Sequence, residues 1–177
     1  MATLLNPTLA FEALDKFLTS GGNVLVIIMG VTFLMWAFII ERLFFWTVAK
    51  DAVHKRAIRA WNNRDDHKSW YATSIRDRLL ADAREDFSRF NGFIQVLVAV
   101  TPLLGLLGTV TGMVEVFNIM SVTGTSNARL MAGGISKATI PTMAGLVASL
   151  SGLIFINAFE QNVKKADAKL SESLEVK

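Results

Sequence analysis

Apolar residues along the chain come in three uninterrupted windows, and between them the pattern turns amphipathic. Phe17 to Ile40, Phe90 to Val114 and Ala138 to Phe159 contain no charged side chain. Each exceeds the roughly 20 residues that an α-helix needs to cross about 30 Å of hydrocarbon. Three membrane spans are therefore expected, centred near Val31, Leu104 and Leu150. Ahead of the first, PTLAFEALDKFLTSGG opens on Pro7, suited to a first helical turn, and repeats Leu9, Ala13 and Phe17 at four-residue spacing before Gly21 and Gly22. That pattern predicts an amphipathic arm, residues 1–22, lying on the outer membrane surface. Glu12, Asp15 and Lys16 precede the first window without a basic leader region or a small-residue cleavage site, so an uncleaved span is expected.

The spans are placed at residues 23–46, 91–120 and 135–160, joined by a cytoplasmic helical loop (47–90) and an outer link (121–134) and followed by a helical tail (161–177). Phe45 and Trp46 read as interfacial aromatics at the end of the first span. NNRDDHKS, residues 62–69, is the clear break in the loop. Beyond it Ile75, Leu79, Ala83, Phe87 and Phe90 recur at helical spacing, which predicts one helix running unbroken into the second span. Val163, Leu170 and Leu174 likewise predict that the third span continues as an amphipathic helix. With so little cytoplasmic mass, the apolar stripes of these extensions are expected to be covered by other copies of the chain. The fold class is an all-α membrane protein of three transmembrane helices, the second and third extended into the cytoplasm, assembling as a homo-oligomer.

Composition supports this class: 52% of residues are hydrophobic and no cysteine is present, which removes disulfides and thiol chemistry. The net charge of +3 is small, but its distribution orients the chain. Eleven Lys and Arg lie between Arg42 and Arg89 and four in the tail, against Lys16 in the arm and Arg129 in the link, with Lys137 at its edge. The positive-inside rule puts the large loop and the tail in the cytoplasm, and the amino terminus and the link outside. The basic loop also holds seven acids, from Asp51 to Asp86, and reads as a solvated helical face rather than a nucleic-acid site.

At about 100° per residue, Thr101, Gly105, Gly108 and Gly112 share one narrow face of the second span, a spacing that lets helices approach closely in lipid. In the third span Ala138, Thr142, Gly145, Ser149 and Gly152 fall within a sector of about 80°. Thr142 and Ser149 add hydroxyls that either contact a guest or bond back to their own helix. Thr109 lies near the depth of Thr142 if the two spans run antiparallel, so facing threonines would line a polar path. Pro102 and Pro141 each interrupt a backbone ladder, tolerated where neighbours satisfy the freed carbonyls. Proton relays across membranes use a carboxylate or imidazole at depth, yet Glu41, Glu115, Lys137 and Glu160 all sit at span ends, and His54 and His67 lie in the loop. A titrating group for proton movement would have to come from another chain. No phosphate-binding glycine loop and no metal-ligand spacing is present, so neither an enzyme nor a cofactor or metal is expected.

TPLLGLLGTVTGMVEVF in the second span and GGISKATIPTMAGLVASLSGL in the third closely resemble the paired signatures of the ExbB, TolQ and MotA proton-channel family. The resemblance covers about 70 residues, and the order of spans and loops agrees over nearly the whole chain. It implies a bacterial inner-membrane motor stator in which five copies surround the transmembrane helices of two smaller subunits. The smaller, ExbD-like subunit would supply a membrane aspartate, and a TonB-like protein would span the periplasm. Pore-lining threonines of the family correspond to Thr109, in LGTVTG, and Thr142, in ATIPTMAG, with Ser149 further along the same stripe; Gly105, Gly108, Gly112, Gly145 and Gly152 would pack the ring. The three spans and short loop resemble the compact ExbB form, which energises TonB-dependent nutrient uptake, more than the four-span MotA form. A TolQ-like role in envelope integrity and a passive membrane scaffold are the alternatives. Many members carry an acid near the position of Lys137, a departure that leaves the partner's aspartate as the proton carrier.

Overall fold

A computed structural model of the chain describes residues 7–64, 66–67, 69–124 and 128–174, with the backbone alone at 7–11, 13–20, 123 and 128–130. Among the described residues five α-helices follow in order: α1 (Pro7–Phe44), α2 (Lys50–Asn62), α3 (Trp70–Ser88), α4 (Asn91–Thr123) and α5 (Ala128–Ser173). A π-helical turn, Phe45–Ala49, joins α1 to α2. Three stretches, Gly21–Asn62, Trp70–Val122 and Met131–Ser173, each contain a window long and apolar enough to cross a membrane. Only 22% to 28% of those windows is buried within the chain, so most of their apolar surface is left for lipid or other chains.

The helix ends follow from local chemistry. Ser69 caps α3 by accepting a hydrogen bond from the Ala72 backbone N–H at 3.1 Å, which sets the break at residues 62–69 where the sequence places it. Gly124 closes α4 at φ 62°, its N–H reaching Met120 O at 3.0 Å. Gly22, where the sequence ends the arm, takes φ 66° and ψ −166°, non-helical angles that divide α1 into two helical segments meeting at a kink. The expected stripe of Leu9, Ala13 and Phe17 lies outside the described side chains, as does Arg129. Of the link placed at 121–134, residues 121–123 belong to α4 and 128–134 to α5.

The chain divides into two compact units, Met1–Met35 with Leu97–Ser151, and Trp36–Val96 with Gly152–Lys177. The first is a packing of α1, α4 and α5 segments, with Leu25, Ile28, Met35, Val98, Val116 and Ala138 buried. The second has a core of Val53, Ala57, Trp61, Ala72, Ala83, Phe87, Ala166, Leu170 and Leu174.

That second core overturns two expectations. The stripes of the helical extensions are covered within the chain: Phe87, Leu170 and Leu174 are fully buried, because α2 and α3 fold as a hairpin that packs against the end of α5. The helix expected to run unbroken into the second span is interrupted at Arg89 and Phe90, where Phe90 takes φ 63°. A left-handed conformation costs an ordinary residue about 1–2 kcal/mol. Here it is offset by ring contacts of Phe90 with Phe38 and Phe93, at 5.4 Å and 6.3 Å between centroids. Arg42 completes the break: its guanidinium donates to Asp86 O at 3.3 Å and Phe87 O at 3.2 Å, carbonyls at the end of α3.

Candidate functional site

In the first unit α4 and α5 run antiparallel at close range. As α4 advances through Val98, Gly105, Gly108 and Gly112, its neighbours on α5 retreat through Ser149, Thr142, Pro141 and Ala138. A Cβ on Gly105 would lie 2.9 Å from Thr142 Cα and 3.0 Å from Pro141 O. One on Gly108 would meet Pro141 Cβ at 2.5 Å, one on Gly112 would meet Ala138 Cβ at 2.7 Å, and one on Gly145 would meet Thr101 O at 2.8 Å. The glycines thus bring two backbones together, as small residues do where lipid offers no apolar driving force. Gly152 is buried in the second unit. Gly134, not singled out in the sequence, plays the same part against Val116. Its spacing from Ala138 and Thr142, four residues at each step, is the signal that marks it.

The close approach sets the hydroxyls. Thr142 donates to Gly105 O at 2.8 Å, and Thr109 Oγ1 is hydrogen-bonded to Thr142 Oγ1. A hydroxyl has one proton. Thr109 Oγ1 also lies 3.4 Å from Gly105 O, but Thr142, at 2.8 Å, is the better-placed donor to that carbonyl; with its proton committed there Thr109 donates within the pair, giving a polarised run from Thr109 to Thr142 to the carbonyl. Both residues are part-exposed, and Thr109 Oγ1 keeps lone pairs able to accept from an arriving acid. Neither side chain of the third-span stripe bonds back to its own helix.

Ser149 is placed differently. It donates to Val98 O at 2.9 Å. Val98 O is the carbonyl whose helical partner would be the N–H of residue 102, which Pro102 lacks. Ser149 therefore fills the gap that this proline opens, away from the threonine pair. Thr101, fully buried, bonds back to Leu97 O at 2.6 Å. Beside the glycine seam a cleft of about 760 Å³ is lined by Gly108, Thr111, Glu115, Lys137 and Pro141, among others. Glu115 and Lys137 are both exposed.

In the second unit two arginines act that the sequence reading passed over. Arg42, buried, holds the end of α3 as described; the lone cation set among Ile39, Leu43 and Phe44 was the available signal. Arg76 on α3 donates to Leu174 O at 2.7 Å and Ser171 O at 3.1 Å, capping α5. Arg84 pairs with Asp167, whose hydrogen bond and charge hold the guanidinium above its ordinary pKa. Among the described residues no group of three His, Cys, Asp or Glu is placed to hold a metal.

Comparison with known proteins bears on this geometry directly. A family model described as the MotA/TolQ/ExbB proton channel family matches residues 46–172. A Synechocystis sp. protein named ExbB-like 3 is 41% identical over 48% of this chain and 41% of its own length. The biopolymer transport protein ExbB of Pseudomonas putida is 28% identical over 72% of this chain and 39% of its own length. The TolQ protein of the Tol-Pal system in Haemophilus influenzae is 23% identical over 88% of this chain and 87% of its own. The chain thus matches about two fifths of the length of these two ExbB-named relatives. The matched region takes in the whole of α4 and α5 as far as Glu172, and with them the glycine seam and both threonines, so the chain belongs to the MotA/TolQ/ExbB proton channel family and is a multi-pass membrane protein.

Proposed function

We propose that the chain is the ExbB-type stator subunit of a proton-driven motor in a bacterial inner membrane, energising TonB-dependent uptake through an outer membrane. Several copies, five in the family arrangement, would form a ring around single-span subunits. A carboxylate on each such partner would carry the proton, and Thr109 and Thr142 would face it. The basic loop and the tail would lie in the cytoplasm.

The threonine pair carries this reading. It is polar and part-exposed, and it is flanked by the exposed apolar side chains of Leu106, Leu107, Val110, Met143 and Leu146, with Thr111 and Thr139 the exposed hydroxyls nearest to it in sequence. Thr109 Oγ1 has acceptor capacity left for a protonated carboxyl, and the pair can return a hydrogen bond to the carboxylate by rotating the Thr109 hydroxyl. One proton crossing 100 mV releases about 2.3 kcal/mol, so several must pass for each substantial mechanical step.

A Tol-type role is the second reading, favoured by the TolQ relative that aligns along most of both chains. Against it stand the higher identities to ExbB-named proteins. Complementation of deletion strains separates the two: under the ExbB reading the chain restores uptake of iron chelates and leaves the detergent sensitivity of a strain lacking its Tol counterpart unchanged. Thr109→Leu and Thr142→Leu should abolish that uptake while the protein still assembles. Normal uptake by both variants would overturn the lumen assignment.

A further inference from the structure

We propose that a cleft in the second unit, between the π turn with the start of α2 and the last third of α5, binds the phosphate of an anionic phospholipid headgroup. The cleft has a volume of about 600 Å³. Trp46, Lys50 and His54 recur four residues apart along one wall, and Lys165 and Lys169 form the other, with Asp51 the one carboxylate. None of the three lysine side chains, nor Asp51, makes an ion pair or hydrogen bond among the described residues. The Trp46 indole N–H is buried and has no acceptor among the described residues, although its ring stacks on Phe87 at 5.8 Å between centroids. A buried donor without a partner calls for an acceptor. Trp46 borders the cleft that the three ammonium groups line.

A phosphodiester oxygen meets both needs, since it is an acceptor with a full negative charge and tolerates one nearby carboxylate when three cations outnumber it. The position favours a lipid over a soluble anion. Trp46 follows the charge-free first window by one and a half turns, which is the depth at which tryptophan marks the headgroup layer. Phe44 and Val48 on the same turns are 68% and 61% exposed, so apolar surface for acyl chains adjoins the cations. The π turn shapes this corner: Lys50 N–H reaches Phe45 O, five residues back, which widens the turn carrying Trp46. Basic clefts beside membrane-spanning helices recognise lipid headgroups by this combination of charge and depth.

The test is reconstitution of the full-length chain into vesicles of phosphatidylglycerol and phosphatidylcholine with matched acyl chains, followed by mild extraction and native mass spectrometry of the retained lipid. The wild type should retain phosphatidylglycerol in preference. The preference should fall roughly fivefold for each lysine removed in Lys50→Gln, Lys165→Gln and Lys169→Gln. The control Lys55→Gln/Lys164→Gln, which alters exposed lysines outside the cleft, should leave it unchanged. Trp46→Phe keeps the ring and removes the N–H, and should weaken retention in its own right. Equal preference in wild type and cleft variants would overturn the proposal. So would displacement of the lipid by excess inorganic phosphate, or cleft variants that lose subunit association while retaining the lipid, which would make the surface a contact between copies.

Discussion

Placing one methyl group on Gly105 tests the α4–α5 seam, because the structure states both the steric conflict and its consequence. A Cβ there would sit 2.9 Å from Thr142 Cα and 3.0 Å from Pro141 O, both backbone atoms that no rotamer change can move. Ordinary contacts lie at about 3.5–4.0 Å, so the helices must separate by about 0.5–1 Å. Overpacking of this kind costs about 1–3 kcal/mol. Replacing glycine by alanine within a helix returns about 1 kcal/mol through propensity. Gly105→Ala should therefore come out between neutral and about 2 kcal/mol destabilising. Gly30→Ala provides the internal comparison, since nothing lies within 4 Å of its added Cβ and only the favourable propensity change acts. The two variants should differ by about 2 kcal/mol, or about 4–8 °C in melting temperature for a chain of this size. The separation also stretches the Thr142 to Gly105 O bond beyond its present 2.8 Å, so Gly105→Ala should lower proton conduction where Gly30→Ala does not. Thermal unfolding of the reconstituted protein followed by circular dichroism reads the first effect and vesicle acidification the second. A Gly105→Ala protein as stable as Gly30→Ala would refute the seam.

Further outcomes follow from the other contacts. Ser149→Ala leaves Val98 O without a partner and should cost about 1–3 kcal/mol, whereas adding Pro102→Ala supplies the missing N–H and should recover much of it. Additive losses in that double-mutant cycle would disprove the gap-filling role. Arg42→Gln removes the charged donor from Asp86 O and Phe87 O and should cost about 2–3 kcal/mol, measured by thermal unfolding, with Arg42→Lys failing to restore two bonds at once. Asp167→Asn should leave the melting temperature unchanged at physiological salt, because its partner Arg84 is solvent-exposed and the pair is screened. A raised arginine pKa gives stability that is fully present below the ordinary arginine value and lost only as the pH climbs past it, so Arg84 itself adds no pH dependence to unfolding between pH 4 and about 10.

Much of the fold was legible because a membrane span is written in uninterrupted absence of charge, and a close helix contact in small residues at a fixed spacing. The loop break at residues 62–69, the shared face of Gly105, Gly108 and Gly112, and the common depth of Thr109 and Thr142 all follow from such local patterns. What local patterns could not carry was set by distant partners. The periodicity from Ile75 to Phe90 passes straight through the break at Arg89, which is held by Arg42 more than forty residues earlier. The stripe of Val163, Leu170 and Leu174 shows that a partner is needed but not which one, and a hairpin within the chain fills the place expected for another copy. Ser149 looks like Thr142 on a helical wheel. Only the register of α5 on α4 sets it against the carbonyl that Pro102 leaves free.

Under the proposed function the Thr109–Thr142 pair serves proton movement toward a partner's carboxylate. The most direct measurement is proton flux into vesicles holding the chain and a single-span partner with a membrane aspartate, driven by an imposed potential and read by an interior pH dye. Wild type should conduct only with the partner present, and Thr142→Val and Thr109→Val should each lower the flux at least about tenfold with the assembled mass unchanged, the loss expected when one charge-stabilising hydrogen bond worth about 1.5 kcal/mol is removed. Flux that is unaltered in both variants, or equal without the partner, would contradict the mechanism.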